Sequence, residues 1–346
     1  MEYIRISEAA KKWGISDRRV RALAAKGRIP GVVREGNLYK IPAGAPKPRD
    51  GRNERVQPPI AIASILKERQ ASLSFEVFPP KSGDTYESVR TATEQIAILR
   101  PHFMSVTYGA GGTTEKYTAA IAGNLLRKYG VTPVAHLTCI AAKRTSLHAY
   151  LDELRAEGIG NVLALRGDIP TGAEDLPRDY RYARDLVSEI ALRGDFCIGC
   201  ACYPEGHPES PSQKEDIAYL REKVDAGCHF MTSQMFFDNN IFYNFLYKVR
   251  DAGITIPVIA GIMPVTNASQ IRRICSLSGT ALPARFRQIV DRYGNDPDAM
   301  KQAGIAYATE QIVDLYANGV RGVHVYSMNK PDVAERIRDN LSAIIK

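Results

Sequence analysis

The chain has 346 residues, 45% of them hydrophobic and 24% charged, with a formal net charge of +8. This is the composition of an ordinary globular protein, with length for one large domain and a small one. No stretch approaches the ~20 uninterrupted apolar residues of a membrane helix, and the opening MEYIRISEAAKKWG lacks the apolar core of a secretory signal, so a cytoplasmic protein with no membrane partner is expected.

The charge is segregated. Residues 1–57 hold 14 Lys/Arg against 6 Asp/Glu, the whole excess, whereas residues 58–346 balance at 32 of each. Such asymmetry points to two units with different tasks. In the first, Ser7 is placed to cap a helix carrying Ala9, Ala10 and Trp13, Gly14-Ile15 makes a turn, and Ser16 caps a second helix that buries Val20 and Leu23 and stops at Gly27. RIPGVVREGNLYKIP then predicts two short strands around Glu35-Gly36-Asn37. Over residues 3–42 this order resembles the winged helix-turn-helix of excisionase- and MerR-like domains. Arg18, Arg19 and Arg21 are available for phosphates or base edges. A DNA partner or a protein partner is therefore expected for residues 1–45. Residues 46–60, rich in Pro, Gly and charge, predict a linker.

After residue 70 strand-like and helical stretches alternate. The strand-like runs are SLSFEVF, FMSVTYG, VTPVAHLTCI, NVLALRGD, DFCIGCACY, HFMTSQMFF, IPVIAGIMP and GVHVYSM. Helical patterns lie between them at 85–99, 114–129, 145–156, 180–193, 212–226 and 239–252, with a longer helical insert at 283–318 and a closing helix at 331–345. Eight βα units in about 275 residues is the arithmetic of a (β/α)8 TIM barrel, here over 61–346. The alternative, a doubly wound sheet, would carry Gly-x-Gly-x-x-Gly after its first strand, and FPPKSGDTY has none. Chemistry in such a barrel sits at the C-terminal strand ends. The polar residues fall there: Glu76, Thr107-Tyr108-Gly109, His136, Arg166-Gly167-Asp168, Tyr203, Ser233-Gln234 and Tyr326. Repeated polar side chains at one end of apolar strands are costly without partners, which favours a ligand site. Cys197, Cys200 and Cys202 fall on a strand, where Cys200 and Cys202 share a face that Cys197 does not. They are expected as buried core thiols, with no metal site.

SFEVFPPK, SVTYGAGGTT, HLTCI, ALRGD, YPEGHPE, KVDAG, TSQMFFD, GIMPV and, more loosely, HVYSMNK occur in this order. Together they cover every strand, and residues 72–330 resemble methylenetetrahydrofolate reductase. The resemblance implies an FAD-containing barrel that takes hydride from NADH or NADPH and then reduces 5,10-methylenetetrahydrofolate to 5-methyltetrahydrofolate, the two substrates taking turns. It implies Glu76 as general acid, Asp168 near flavin and pterin, and Gln234 touching each substrate in turn. Arg166 and Lys223 are implied for the FAD pyrophosphate. Tyr108, Ala110, His136, Gly167, Ala183, Tyr203, His207 and Asp216 are implied at other flavin positions. Thr107, Gln270 and Lys330 are implied on the substrate side. Lys330 stands where the family commonly carries arginine, keeping the charge without the planar fork. A homo-oligomer is expected. The competing reading is a DNA-binding regulator whose barrel senses folate or flavin. An aldolase-type barrel would show a Schiff-base lysine or metal ligands at strand ends, and neither is evident.

Overall fold

The computed structural model describes residues 3–25, 29–36, 38–47, 59–80, 83–108, 115–140, 142–169, 179–269, 271, 274–275 and 279–345. The chain divides into two compact units, Met1–Gln57 and Pro58–Lys346.

In the first unit, α1 (Ile6–Trp13) begins one residue before the expected Ser7 cap, because Glu8 reaches back to accept the Arg5 N–H at 2.9 Å. It ends at Gly14, whose φ of 64° is the left-handed turn that a Cβ would disfavour. Helix α2 (Asp17–Ala25) starts under Ser16, which accepts from the Arg19 N–H at 3.3 Å. Strands β2 (Val33–Glu35) and β3 (Leu38–Pro42) form the expected hairpin, and β1 (Tyr3–Ile4), not foreseen, adds to the free edge of β3. Ala9, Ala10, Trp13, Val20, Leu23, Ala24, Ile29, Ile41 and Ala45 make its small core. The expected stop at Gly27 and the turn residue Asn37 lie outside the described residues, as do 48–58 of the expected linker.

The second unit is a closed barrel of eight parallel strands in the order β10-β11-β4-β5-β6-β7-β8-β9. The strands are β4 (Ser72–Val77), β5 (Phe103–Val106), β6 (Thr132–Thr138), β7 (Asn161–Leu165), β8 (Cys197–Cys202), β9 (Phe230–Ser233), β10 (Val258–Ile262) and β11 (Gly322–Tyr326). Helices follow them, and the long insert resolves into Ala284–Tyr293 and Pro297–Ala317, the latter capped by Asp296 with proline at its first turn. Outward strand residues such as Phe75, Val77, Met104 and Val323 pack under the helices in the main core.

The barrel interior is graded along its axis. At the N-terminal end Phe103, Val134, Leu163, Cys197, Phe230 and Ile259 form an apolar layer against Ile62 and Leu66 of α3 (Ile62–Glu68), a helix the sequence reading did not expect. Asn161 ties this plug in place: its Oδ1 accepts the Ile62 N–H at 3.0 Å and its Nδ2 donates to the Ile60 carbonyl at 2.9 Å. Gly199 is needed here, since a Cβ would stand 2.3 Å from the Phe230 ring.

Above this layer sit Ser74, Ser105 and His324. The Ser74 hydroxyl donates to the Val323 carbonyl at 3.0 Å, so it accepts from His324 Nδ1 at 2.7 Å. That leaves His324 Nε2 to accept from Ser105 at 2.9 Å, and burial, followed by the neighbouring His136, pushes the His324 pKa down to about 3. His324 is thus a neutral, fully bonded structural side chain stacked on Phe103. The buried cysteines divide as expected, with Cys200 and Cys202 in the outer core and Cys197 inside the barrel. No group of three or more potential metal ligands occurs among the described residues.

Candidate active site

Each strand run predicted from sequence overshoots its strand at the C-terminal end, and the excess forms the site. β5 stops at Val106, β7 at Leu165 and β9 at Ser233. Thr107-Tyr108, Arg166-Gly167-Asp168 and Gln234 then leave the ladder and turn over the barrel mouth. There Glu76, Thr107, Tyr108, His136, Arg166, Gly167, Asp168, Ala183, Tyr203, His207, Lys223 and Gln234 line one cavity of about 500 Å3. That volume is in the range of small-molecule sites. Asp216 does not line it. Its carboxylate accepts from the His207 N–H at 3.3 Å and the Ser210 hydroxyl at 3.1 Å, so it organises the loop that carries His207. Lys330 is also off the cavity wall and donates to Thr266 Oγ1 at 2.7 Å. Ala110 and Gln270 lie outside the described residues.

Glu76 is the cavity's distinctive group. Strand alternation sends Phe75 and Val77 outward and Glu76 inward. About one-fifth of its side chain remains accessible, and burial pushes its pKa from 4.5 up to about 8, so the carboxyl is largely protonated at neutral pH. His136 Nε2 stands 3.7 Å from Glu76 Oε2 and is buried with no hydrogen-bond partner among the described residues. Burial lowers the His136 pKa to about 3. Two neutral titratable groups therefore face each other where a charged pair would be drawn by habit.

The backbone that carries Glu76 is clamped by residues the sequence reading passed over. Ser327 donates to the Glu76 carbonyl at 2.6 Å. Asn329 grips Phe78 twice, its Oδ1 accepting the N–H at 3.0 Å and its Nδ2 donating to the carbonyl at 2.9 Å. Met328 and Asn329 both hold φ of 53°, a left-handed pair that costs of order 1–3 kcal/mol per residue and persists where its surroundings enforce it. An asparagine three residues past a strand end was the available signal, since Asn tolerates this conformation. Tyr326 also lines the cavity and donates to the Ser233 carbonyl at 2.6 Å. Gly261 makes room for it, because a Cβ there would meet the Ser233 oxygen at 2.3 Å and the Tyr326 hydroxyl at 2.6 Å.

Two cations border the cavity. Lys223 donates to the Ala201 carbonyl at 3.1 Å, and Arg166 forms a two-pronged pair with Glu209. Gly167 has φ of 84°, and a Cβ there would sit 3.0 Å from Thr138, so glycine is required for Arg166 and Asp168 to flank the opening. Gln234 Oε1 accepts the Met235 N–H at 2.9 Å, which leaves its amide N–H groups for a ligand acceptor. The Tyr203 and His207 rings meet edge to face at 4.6 Å. The cavity thus offers an acid held protonated in its floor, an exposed carboxylate (Asp168) at its rim, two fixed cations and a wall of Leu163, Leu165, Ala201 and Met235. Such a combination suits a flat, partly apolar ring system bearing an anionic arm.

The family model of methylenetetrahydrofolate reductase matches residues 61–342. The 5,10-methylenetetrahydrofolate reductase of Pectobacterium carotovorum subsp. carotovorum is 34% identical over 281 residues, 80% of this chain and 93% of that protein. Methylenetetrahydrofolate reductase (NADH) 1 of Arabidopsis thaliana is 35% identical over 297 residues, 82% of this chain, and the match spans only half of that longer protein. Among solved structures, a Clostridium thermocellum protein described as binding two copies of 5-methyl-5,6,7,8-tetrahydrofolic acid superposes with a TM-score of 0.57 at 12% identity. The superposition covers 81% of this chain and 99% of that one and speaks to the fold alone. The family match begins where the barrel unit does and leaves residues 1–60 outside it, and from residue 61 onward the chain belongs to the methylenetetrahydrofolate reductase family.

Proposed function

We propose that the barrel reduces 5,10-methylenetetrahydrofolate to 5-methyltetrahydrofolate, with FAD as its bound cofactor and NADH or NADPH as the electron source. The observation that carries this reading is Glu76, a carboxyl kept protonated to about pH 8 at the floor of the cavity. The methylene bridge of the folate resists hydride until its five-membered ring opens, and opening requires a proton on the departing nitrogen. An ordinary surface glutamate would be ionised at neutral pH, whereas a buried one retains the proton to give.

The cavity residues fit a flavin by two features. Arg166 and Lys223 would meet a pyrophosphate, and Ala183 and Gly167 present small surfaces to a flat ring. FAD, when bound, would supply the hydride transfer that no amino-acid side chain provides. Glu76 would give its proton to the departing nitrogen, becoming a carboxylate, while the N–C bond electrons stay on that nitrogen. Asp168 would stabilise the cationic iminium so formed. Gln234 would orient a pterin or carboxamide carbonyl by donating from Nε2. Thr107, Tyr108, Tyr203 and His207 would enclose the rings, and Lys330 would meet an anionic end of a substrate. The Glu209 carboxylate on Arg166 would have to yield to the cofactor phosphate.

The test is a visible spectrum of the purified protein, followed by anaerobic titration with each nicotinamide and then with folate. A yellow protein bleached by one nicotinamide and recoloured by 5,10-methylenetetrahydrofolate is expected. Glu76→Gln should still bleach but lose recolouring by about 10²–10⁴-fold. Recolouring near the parental rate in that variant would refute Glu76 as the acid.

A separate observation supports a nucleic-acid partner for the first unit. It carries the chain's entire charge excess, and Arg18, Arg21, Ala22 and Ala25 are exposed on α2 at helical spacing. Two guanidinium groups one turn apart beside small residues would let this helix approach a phosphate backbone closely. Duplex DNA binding read by fluorescence anisotropy should weaken steeply with salt and vanish in Arg18→Ala/Arg21→Ala. Salt-independent or absent binding would exclude it.

A further inference from the structure

We infer that His136 is the positioning residue for the Glu76 proton: its neutral imidazole donates from Nε2 to Glu76 Oε2, leaving Oε1 to carry the acid proton into the cavity. This inference rests on the reading of Glu76 as general acid.

His136 lies on β6, two strands from Glu76 on β4, with only 6% of its side chain accessible. Among the described residues its Nε2 has no hydrogen-bond partner, a costly condition for a buried polar atom. Glu76 Oε2 stands 3.7 Å away, and an approach of about 0.8 Å makes a normal hydrogen bond. The contrast is with His324 one layer below, where both ring nitrogens are already engaged by Ser74 and Ser105. The orphan nitrogen of His136 is therefore the free valence of the polar layer, and it faces the acid.

Only one tautomer serves the reaction throughout. An Nδ1–H imidazole would turn a lone pair toward Oε2 and oppose the carboxylate that remains after proton delivery. An Nε2–H imidazole can donate to Oε2 both before and after. In the transfer itself the proton leaves Oε1 for the substrate nitrogen, Glu76 acquires the negative charge, and His136 keeps its proton. Because a donor to Oε2 favours the ionised form, His136 makes Glu76 a stronger acid than burial alone would leave it. The other titratable group beside the carboxyl is Tyr326 on β11, whose hydroxyl proton is already committed to the Ser233 carbonyl. The remaining ionisable groups of the cavity are Tyr108 after β5, Arg166 and Asp168 after β7, Tyr203 and His207 after β8, and Lys223 in the helix Gln213–Asp225. Beside them, His136 is the group whose buried ring nitrogen lacks a partner among the described residues.

Infrared difference spectroscopy across pH on the purified protein tests this without turnover. The protonated carboxyl band that Glu76→Gln abolishes identifies Glu76. In His136→Phe its titration midpoint should rise by about one unit, and in His136→Gln, whose amide places a donor near the same point, it should return toward the parent. The folate half-reaction should slow about tenfold in His136→Phe and recover in His136→Gln, with flavin absorbance confirming an occupied site in both. An unmoved or lowered midpoint in His136→Phe, or a glutamine variant indistinguishable from phenylalanine, overturns the inference. Nitrogen NMR of labelled histidine in the parent gives a check that needs no variant, and an Nδ1–H tautomer for His136 overturns it too. Retained folate reduction in Glu76→Gln would instead remove the proposed function, a separate outcome.

Discussion

The two ends of the barrel carry cavities of nearly equal size and opposite character. The one at the C-terminal strand ends measures about 500 Å3 and the one at the N-terminal ends about 480 Å3. The lower cavity holds half-buried His102, whose Nδ1 already accepts the Leu73 N–H at 3.0 Å, and is bordered by Arg69, Arg100, Arg338, Glu68 and Ser342, all of them exposed. Charges so placed keep most of their hydration, so proximity changes their chemistry little. The upper cavity places Glu76, His136 and Tyr326 where water is largely excluded, and burial shifts all three toward their neutral forms. The barrel becomes chemically active not where it is hollow but where its strands end in polar groups stripped of solvent.

The comparison is broken most directly by making the lower interior matter to chemistry or the upper interior matter to stability. Phe230→Ala, in the lower layer, should cost about 3–5 kcal/mol in chemical denaturation, while the surviving folded protein keeps its rate. A rate loss larger than the folded fraction explains would dissolve the division. Asn329→Gly preserves a left-handed residue but deletes both bonds to Phe78. It should cost about 1–2 kcal/mol and lower the folate half-reaction more than the nicotinamide one, because the strand end bearing Glu76 loosens. Equal loss in both halves would mean that the clamp serves the whole mouth.

The pH dependence of stability sharpens the same contrast. Between about 4.5 and about 8 folded Glu76 keeps a proton that the unfolded chain has released, so its contribution to stability falls as pH rises through that window. Glu76→Gln should therefore gain melting temperature relative to the parent with rising pH, and a constant difference would argue against the raised pKa. On the acid side His136 and His324, held neutral to about 3 from an ordinary 6.5, lose stabilising effect as pH falls below about 6.5. The smallest effect is expected at the surface pair Arg285–Glu310. Glu310→Gln should move the melting midpoint by no more than about 1 kcal/mol equivalent.

Much of the molecule was legible in the chain itself. Period-two apolar runs alternating with period-3.6 stretches specify eight βα units, because those periods follow from backbone geometry and hold before any contact forms. The inward direction of Glu76 followed from the same alternation. Strand ends were less legible, since the residues that leave the ladder are as β-prone as those that stay. Helix α3 was missed because seven residues with Ile62 and Leu66 inward are too short a pattern to stand out until a barrel floor exists to receive them.

The amino-acid sequence by itself determined the barrel and the identity of the polar residues at its mouth, because local periodicity and side-chain chemistry are properties of the chain. Only the tertiary structure decided that Glu76 keeps its proton, that His136 faces it with a free nitrogen while His324 is fully engaged, and that Asn329 holds Phe78. Those properties depend on solvent exclusion and on partners as much as 251 positions away along the chain, and neither exists until the barrel closes.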